Sequence, residues 1–187
     1  MISTPTLTLP PGWVWAFPDS MTTSTGWPFR RQRRDEPVLD AVEGLRSQTA
    51  GYLTGAGVVA AATFTLAVPG ADQAVLAWLV LAWARPPAGA DDPLTVLATS
   101  NAHDVASIAV DPFTSLAGCG VRAVSVHDPQ ELADESGDRP WALTARYVLP
   151  WDTTAAFVAQ FSTLSLTYGD ELGDMFDAIV AGVRREP

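Results

Sequence analysis

A single cysteine and two histidines are the residues of this chain best suited to catalysis. Cys119 lies between Gly118 and Gly120, small neighbours that leave a thiol accessible, and His127 follows eight residues later. A cysteine nucleophile needs a nearby base and a lowered pKa. Pairing Cys119 with His127 would give a small Cys-dependent hydrolase, which is one alternative for the function. An unreactive cysteine in a turn is the simpler interpretation.

Each histidine is followed directly by an aspartate, at His103–Asp104 and His127–Asp128. Neighbouring residues of a strand point to opposite faces, so this adjacency does not make a catalytic dyad. Two histidines and one cysteine without short ligand spacing do not indicate a zinc site either. We therefore expect no catalytic residue, no metal and no cofactor.

Carboxylates are densest in two segments that contain proline or glycine. These are Asp91–Asp92 and the group Glu131, Asp134, Glu135 and Asp138. Paired carboxylates can transfer protons or hold a cation, but in such loops solvated acidic side chains are the ordinary finding. The chain has no phosphate-binding glycine loop, metalloprotease helix or nucleophile elbow. The sequence thus contains no recognisable catalytic motif.

The charge of the chain is acidic overall and basic in one short run. The 187 residues include 21 acidic and 11 basic ones, with a net charge of −10, and every basic residue is an arginine. This balance excludes a general nucleic-acid binder, whose affinity comes mostly from cations. Four arginines fall within residues 30–34, so the remainder carries −14. The run is either a docking site for a partner or a solvated loop.

Two of the seven tryptophans complete the set of candidate binding residues. Trp27 and Trp151 adjoin prolines in predicted turns, whereas the other five tryptophans fall on predicted strands and are best explained as core residues. Exposed aromatic side chains are enriched in binding hot spots. The predicted partner-binding residues are Trp27, Arg30, Arg31, Arg33, Arg34 and Trp151.

The N-terminus and the hydropathy pattern bear on location. The first dozen residues lack the cationic start and apolar run of a signal peptide. The most apolar window, 74–84, has eleven residues, and a membrane-spanning helix needs about twenty. A lone Cys119 forms no internal disulfide. We expect a cytoplasmic protein without a membrane span, consisting of a single domain over 1–187 with a flexible segment at 1–11.

Hydrophobic periodicity predicts an α+β fold. Alternation with a period of two, together with short apolar runs bounded by turns, predicts strands at 13–17, 58–68, 74–84, 94–99, 105–110, 121–126, 141–149 and 157–161. Spacing of three and four predicts an N-terminal helix over 38–52 and a C-terminal helix over 172–183. Strands joined by tight turns are antiparallel. We expect one antiparallel sheet of about six or seven strands covered by both helices, with a buried helix as the alternative for 74–84.

The C-terminal block resembles a known family. Residues 116–122, Leu-Ala-Gly-Cys-Gly-Val-Arg, resemble a short sequence motif, Leu-Pro-Ala-Gly-Pro-Ala-Val-Arg, found in many small actinobacterial proteins of unassigned role. Residues 141–150, 157–163 and 175–181 resemble the strands and helix that close those proteins. They look like members of the PsbP-like superfamily, which includes mycobacterial LpqN-type lipoproteins and Eag-type chaperones of secreted effectors. The resemblance implies an α/β/α sandwich that binds macromolecules and has no shared catalytic motif.

The function favoured by these observations is a non-enzymatic, cytoplasmic protein-binding module. It would act as an adaptor or chaperone-like protein for a partner such as a secreted effector. Its binding surface would be one face of the sheet or the segment 27–34, and a homodimer is left open. An immunity-type protein that neutralises a toxin is an alternative, because strong acidity would speed electrostatic capture.

Overall fold

The computed structural model describes residues 4–17, 57–66, 74–100, 105–127 and 142–186. Within these ranges lie nine strands and two α-helices. The strands are β1 (Thr4–Thr6), β2 (Trp13–Phe17), β3 (Gly57–Leu66), β4 (Ala74–Ala84), β5 (Val105–Ser115), β6 (Gly118–His127), β7 (Ala142–Pro150), β8 (Ala156–Thr163) and β9 (Arg184–Glu186). The helices are α1 (Pro93–Thr99) and α2 (Gly169–Ala181), the latter preceded by a 3₁₀ turn at Leu166–Tyr168.

Seven strands form one antiparallel sheet in the order β2-β3-β4-β8-β7-β6-β5. The strands β2 and β5 are therefore its edges. The strands β1 and β9 pair with each other in a separate sheet of two. The predicted α+β class and antiparallel pairing are confirmed. The prediction of a single sheet is wrong, since β1 and β9 form a second sheet. These two strands have three residues each, too few to show an alternating pattern in the sequence.

The strand β4 lies in the middle of the large sheet, between β3 and β8. Its Leu79 pairs with Phe161 on one face and its Val80 pairs with Gln160 on the other. Both faces are covered, which explains why the strand is apolar at nearly every position. The prediction of a strand over 74–84 is confirmed, and the alternative of a buried helix is wrong.

One face of the sheet packs against α2. Phe161 of β8 stacks on Phe176 of the helix with 4.5 Å between ring centroids, and Trp13 of β2 meets both rings edge-on. Leu172, Ile179 and Val180 complete the buried face of the helix. Each such side chain contributes about 1.5–3 kcal/mol when fully buried. The predicted C-terminal helix is confirmed, with bounds slightly earlier than expected.

The opposite face of the sheet carries α1, over a region predicted to be a strand. Asp92 caps this helix by accepting from the backbone N–H of Thr95 at 3.1 Å, and Pro93 occupies its first turn. Leu94, Leu97 and Ala98 pack on the sheet. Their spacing of three and four is helical, so the strand prediction for 94–99 is wrong. The predicted helix over 38–52 lies outside the described residues.

Candidate functional site

Most of the predicted binding residues lie outside the described part of the chain. This applies to Trp27, Arg30, Arg31, Arg33 and Arg34. Trp151 is described and has only 3% of its surface exposed. Its ring lies 5.6 Å from that of Trp83 and 5.7 Å from that of Phe157, and the Arg185 guanidinium covers it at 4.8 Å. The expectation that Trp151 is exposed is wrong, because the turn after Pro150 folds the indole back onto the core.

The geometry of β6 separates Cys119 from His127. Both residues belong to this one strand, Cys119 near its start and His127 at its end. Eight residues at about 3.3 Å each place them roughly 26 Å apart. The exposed thiol has Thr114 Oγ1 as its neighbour, at 3.9 Å. The Cys119–His127 pair proposed for a hydrolase therefore does not form.

Asp92, one of the two acidic residues in the segment 91–92, has a structural role. Asp92 accepts from both the backbone N–H and the hydroxyl of Thr95, and these hydrogen bonds lower the pKa of its carboxyl group. Among the described residues no group of three or more potential ligands could hold a metal ion. The acidic group at 131–138 lies outside the described residues. Asp92 is thus explained as a helix cap.

Among the sheet residues whose side-chain exposure the structure describes, the exposed large apolar ones lie on the strand β5. Its inner side pairs with β6, and its outer side, which we call the open edge, has no strand partner in the described part of the chain. The strand runs for eleven residues and is exposed along most of its length. Ile108 and Val110 retain 44% and 38% of their surface exposed. A long edge of this kind offers unpaired backbone N–H and C=O groups to another strand.

Ile108 and Val110 share a face of the sheet. Val110 pairs with Ala123 of β6, which belongs to the apolar cluster beneath α1. Ile108 lies two residues away and points to the same side. The two side chains therefore extend the apolar face that α1 covers out to the open edge.

The charge of β5 is balanced within the sheet. Asp111 is its one charged residue, and its Oδ2 accepts from Arg122 Nη2 at 3.2 Å. Arg122 also pairs with Asp177 of α2 at 2.5 Å. Burial would lower the pKa of Arg122, but the hydrogen bond to Asp111 and the charge of Asp177 outweigh it and raise that pKa. The open edge consequently carries no unpaired cation or anion.

A second set of contacts anchors β5 on the α2 side. Phe113 packs edge-on against Tyr147 with 4.9 Å between ring centroids. The Tyr147 hydroxyl donates to Asp177 Oδ1 at 2.5 Å. Burial, and next the hydrogen bond to Asp177, raise the pKa of Tyr147. The strand β5 is thus linked to α2 through the Phe113–Tyr147 ring contact and the Tyr147–Asp177 hydrogen bond.

Arg146 is a buried cation beneath α1. Its Nε and Nη2 donate to Gln160 Oε1 at 2.9 and 2.7 Å, and its Nη1 donates to the backbone oxygen of Ser100 at 2.5 Å. Burial lowers the pKa of Arg146 to about 10. The carbonyl groups at the end of a helix favour a cation there. Arg146 therefore holds the C-terminal end of α1 against β7 and β8.

Sequence reasoning missed both the open edge and Arg146. The predicted strand ends at residue 110, before Asp111-Pro112, whereas β5 continues to Ser115. Proline is tolerated in an edge strand, where its missing N–H can face outward. Arg146 falls on the side of β7 opposite Tyr147, a position that alternation would assign to solvent. The sequence predicts a strand over 94–99, where the structure has the helix α1 that covers this side.

No family model matches the chain, and no curated protein matches it. Among solved structures the chain is similar to LpqN of Mycobacterium tuberculosis, a protein described as involved in cell envelope biogenesis. The TM-score is 0.50 with 10% sequence identity, over 99% of this chain and 86% of that one. The likeness shows a distant LpqN-like fold. The wider PsbP-like assignment stays a prediction.

The structure also bears on membrane association. No helix in the described ranges is long and apolar enough to cross a membrane.

Proposed function

We propose that this chain is a non-enzymatic protein-binding module that holds an extended segment of a partner protein at the open edge. The observation that carries the proposal is the eleven-residue exposed strand β5, with Ile108 and Val110 accessible and no strand partner on its outer side in the described part of the chain. Strand addition of this type gains affinity from main-chain hydrogen bonds and specificity from alternate side chains.

The spacing of the exposed side chains defines the partner segment. Ile108 and Val110 lie two residues apart on one face, so an added strand would place its own alternate residues beside them. Aliphatic or aromatic residues at those alternate positions would bury the exposed surface of both. The segment should therefore alternate apolar residues with polar ones.

Electrostatics favours a partner of opposite charge. The chain carries a net charge of −10, while the open edge itself is neutral through the Asp111–Arg122 pair. Basic residues that flank the apolar segment would be attracted to the acidic surface without burying a charge at the edge. Such steering raises association rates and suppresses acidic competitors. We infer a basic partner protein with an alternating apolar strand.

An adaptor or chaperone-like role fits this mode of binding. A partner strand held at an edge is kept from pairing elsewhere, which is what an unassembled protein in transit requires. The LpqN-like fold is compatible with such a role. The cytoplasmic location stays a prediction.

The experiment that tests the proposal compares three tagged forms of the full chain, recovered from lysate of the native host. These are the wild type, Val110→Lys and the matched control Leu166→Lys, whose leucine is 41% exposed but lies outside the large sheet. A lysine on the open edge places an uncompensated cation opposite an apolar segment. We expect one stoichiometric partner with the wild type and the control, reduced at least tenfold with Val110→Lys. Equal recovery by all three forms would overturn the proposal.

A further inference from the structure

We infer that, without its partner, the chain pairs with a second copy of itself through the open edge. The two β5 strands would run antiparallel about a two-fold axis at Ala109. This inference rests on the proposed function, since both need the outer side of β5 to accept a strand. Self-association and partner binding then exclude each other, so the dimer protects the edge until the partner arrives.

The middle of β5 lacks the usual protection of an edge strand. Natural edges are blunted by lysines, uncompensated charges, bulges, prolines or short length. Here the bulge lies between Val105 and Ser107 and the proline is Pro112, so both devices fall toward the ends. The stretch 107–111 between them has one charge, and Arg122 pairs with it. This stretch can therefore accept a strand without burying an unpaired charge.

Pro112 indicates which backbone groups face outward. A proline has no N–H, so the position is best tolerated where that group would point away from β6. Backbone orientation alternates along a strand, and Ile108 and Val110 share the parity of Pro112. Their N–H and C=O groups then face the open edge, while their exposed side chains lie on the face of the sheet that carries α1.

One register satisfies these groups best. With Ala109 on the two-fold axis, Ile108 of each copy faces Val110 of the other, and all four residues exchange ladder hydrogen bonds. An axis at Val110 would set Ile108 against Pro112 and lose bonds. An axis at Asp111 would place two carboxylates opposite each other, and like charges directly opposed are unfavourable. The axis at Ala109 avoids both costs and is the register that we assign.

The charge of the chain gives the dimer a salt dependence. Each copy has a net charge of −10, so the two copies repel each other electrostatically. The neutral edges associate through main-chain hydrogen bonds and apolar contacts instead. Salt screens exposed charges over about 10 Å at 0.1 M. We expect the dimer to tighten as ionic strength rises, whereas capture of a basic partner should weaken.

Oxidative cross-linking of the full chain tests the register. In a Cys119→Ser background, Ala109→Cys would place two thiols opposite each other in a non-hydrogen-bonded pair with Cα atoms about 4.5 Å apart, within disulfide range. The control Ser107→Cys lies on the same strand and face, but its two copies would be offset by four residues, about 13 Å. We expect the Ala109→Cys dimer to form at least tenfold faster. Equal or reversed rates would overturn the inference.

Two further outcomes separate this inference from the proposed function. If Ala109→Cys gives no specific cross-link while Val110→Lys still loses the partner, the dimer is wrong and the binding site stands. If Ala109→Cys cross-links while Val110→Lys keeps the partner, the dimer stands and the binding site is wrong. Sedimentation gives an independent readout: Val110→Lys should be monomeric under conditions where the wild type and Leu166→Lys form dimers. A wild type that stays monomeric at all concentrations would also overturn the inference.

Discussion

Asp111 Oδ2 accepts a hydrogen bond from Arg122 Nη2 across 3.2 Å, so the one charged residue of the edge strand is paired within its own sheet. The carboxylate is about half exposed, at 54%. A surface pair of this kind adds little to stability. Its main effect is to leave β5 neutral beside Ile108 and Val110, which suits the addition of another strand.

The first prediction concerns Arg122, which bridges Asp111 and Asp177. Arg122→Met should lower the free energy of unfolding by about 1 kcal/mol, since it removes both partly exposed ion pairs at once. Asp111→Asn removes only the more exposed one and should change the free energy by less than about 0.5 kcal/mol. Urea unfolding measures both. Equal effects would show that the Asp177 contact contributes nothing.

Tyr147→Phe should destabilise the protein by about 2 kcal/mol at neutral pH, because the Asp177 carboxylate loses a buried donor. The pKa of Tyr147 is raised in the folded state, so its contribution is complete below the unfolded value near 10 and is lost as pH rises above it. The stability difference between wild type and Tyr147→Phe should shrink by about 1.4 kcal/mol per pH unit above pH 10. Denaturant unfolding between pH 8 and 11.5 measures it. A constant difference would contradict the raised pKa.

Arg146 offers a test of the contacts that hold α1. Arg146→Met leaves Gln160 Oε1 and the Ser100 carbonyl without their donor, and we expect a loss of about 2 kcal/mol. Arg146→Met combined with Gln160→Met should cost less than the sum of the single changes by about 1 kcal/mol, because the two side chains act as a unit. Arg184→Met, at an exposed arginine of β9, is the matched control and should have little effect. Additive losses in the double variant would be evidence against this coupling.

Two glycine substitutions should have opposite signs. A Cβ atom at Gly120 would collide with the backbone oxygen of Val148 and come within 2.9 Å of Leu149 Cδ2, so Gly120→Ala should cost about 3 kcal/mol or more. Gly173 lies inside α2 with open space around it, so Gly173→Ala should stabilise the protein by about 0.5–1 kcal/mol. Thermal unfolding of both variants measures the contrast. A neutral or stabilising Gly120→Ala would contradict the packing of β6 against β7, and a destabilising Gly173→Ala would contradict the open space around that glycine.

The fold could be predicted from sequence wherever burial imposes a strong pattern. The strand β4 is apolar on both faces, and both of its bounds match the prediction. The buried face of the helix α2 can be recognised in the sequence from the spacing of Leu172, Phe176 and Ile179. In contrast, α1 has only seven residues, too few for a reliable period, and β1 and β9 depend on contacts between the two ends of the chain.

The candidate site was harder to predict than the fold. Exposure of Ile108 and Val110 follows from the strand order, which puts β5 at an edge, and strand order is a property of the whole sheet. The burial of Trp151 similarly depends on Trp83 and Arg185, which are distant in sequence. A turn residue next to a proline looks exposed when only its neighbours in the sequence are considered.

Amide hydrogen exchange followed residue by residue tests the central claim most directly. The full chain would be measured alone, at a dilution where it is monomeric, and in complex with the partner that the wild type captures. Strand addition should slow exchange of the outward N–H groups of Ile108 and Val110 at least tenfold, and leave Leu166 and Tyr168 unchanged. Unaltered exchange along 105–115, with protection elsewhere in the complex, would contradict binding at the open edge.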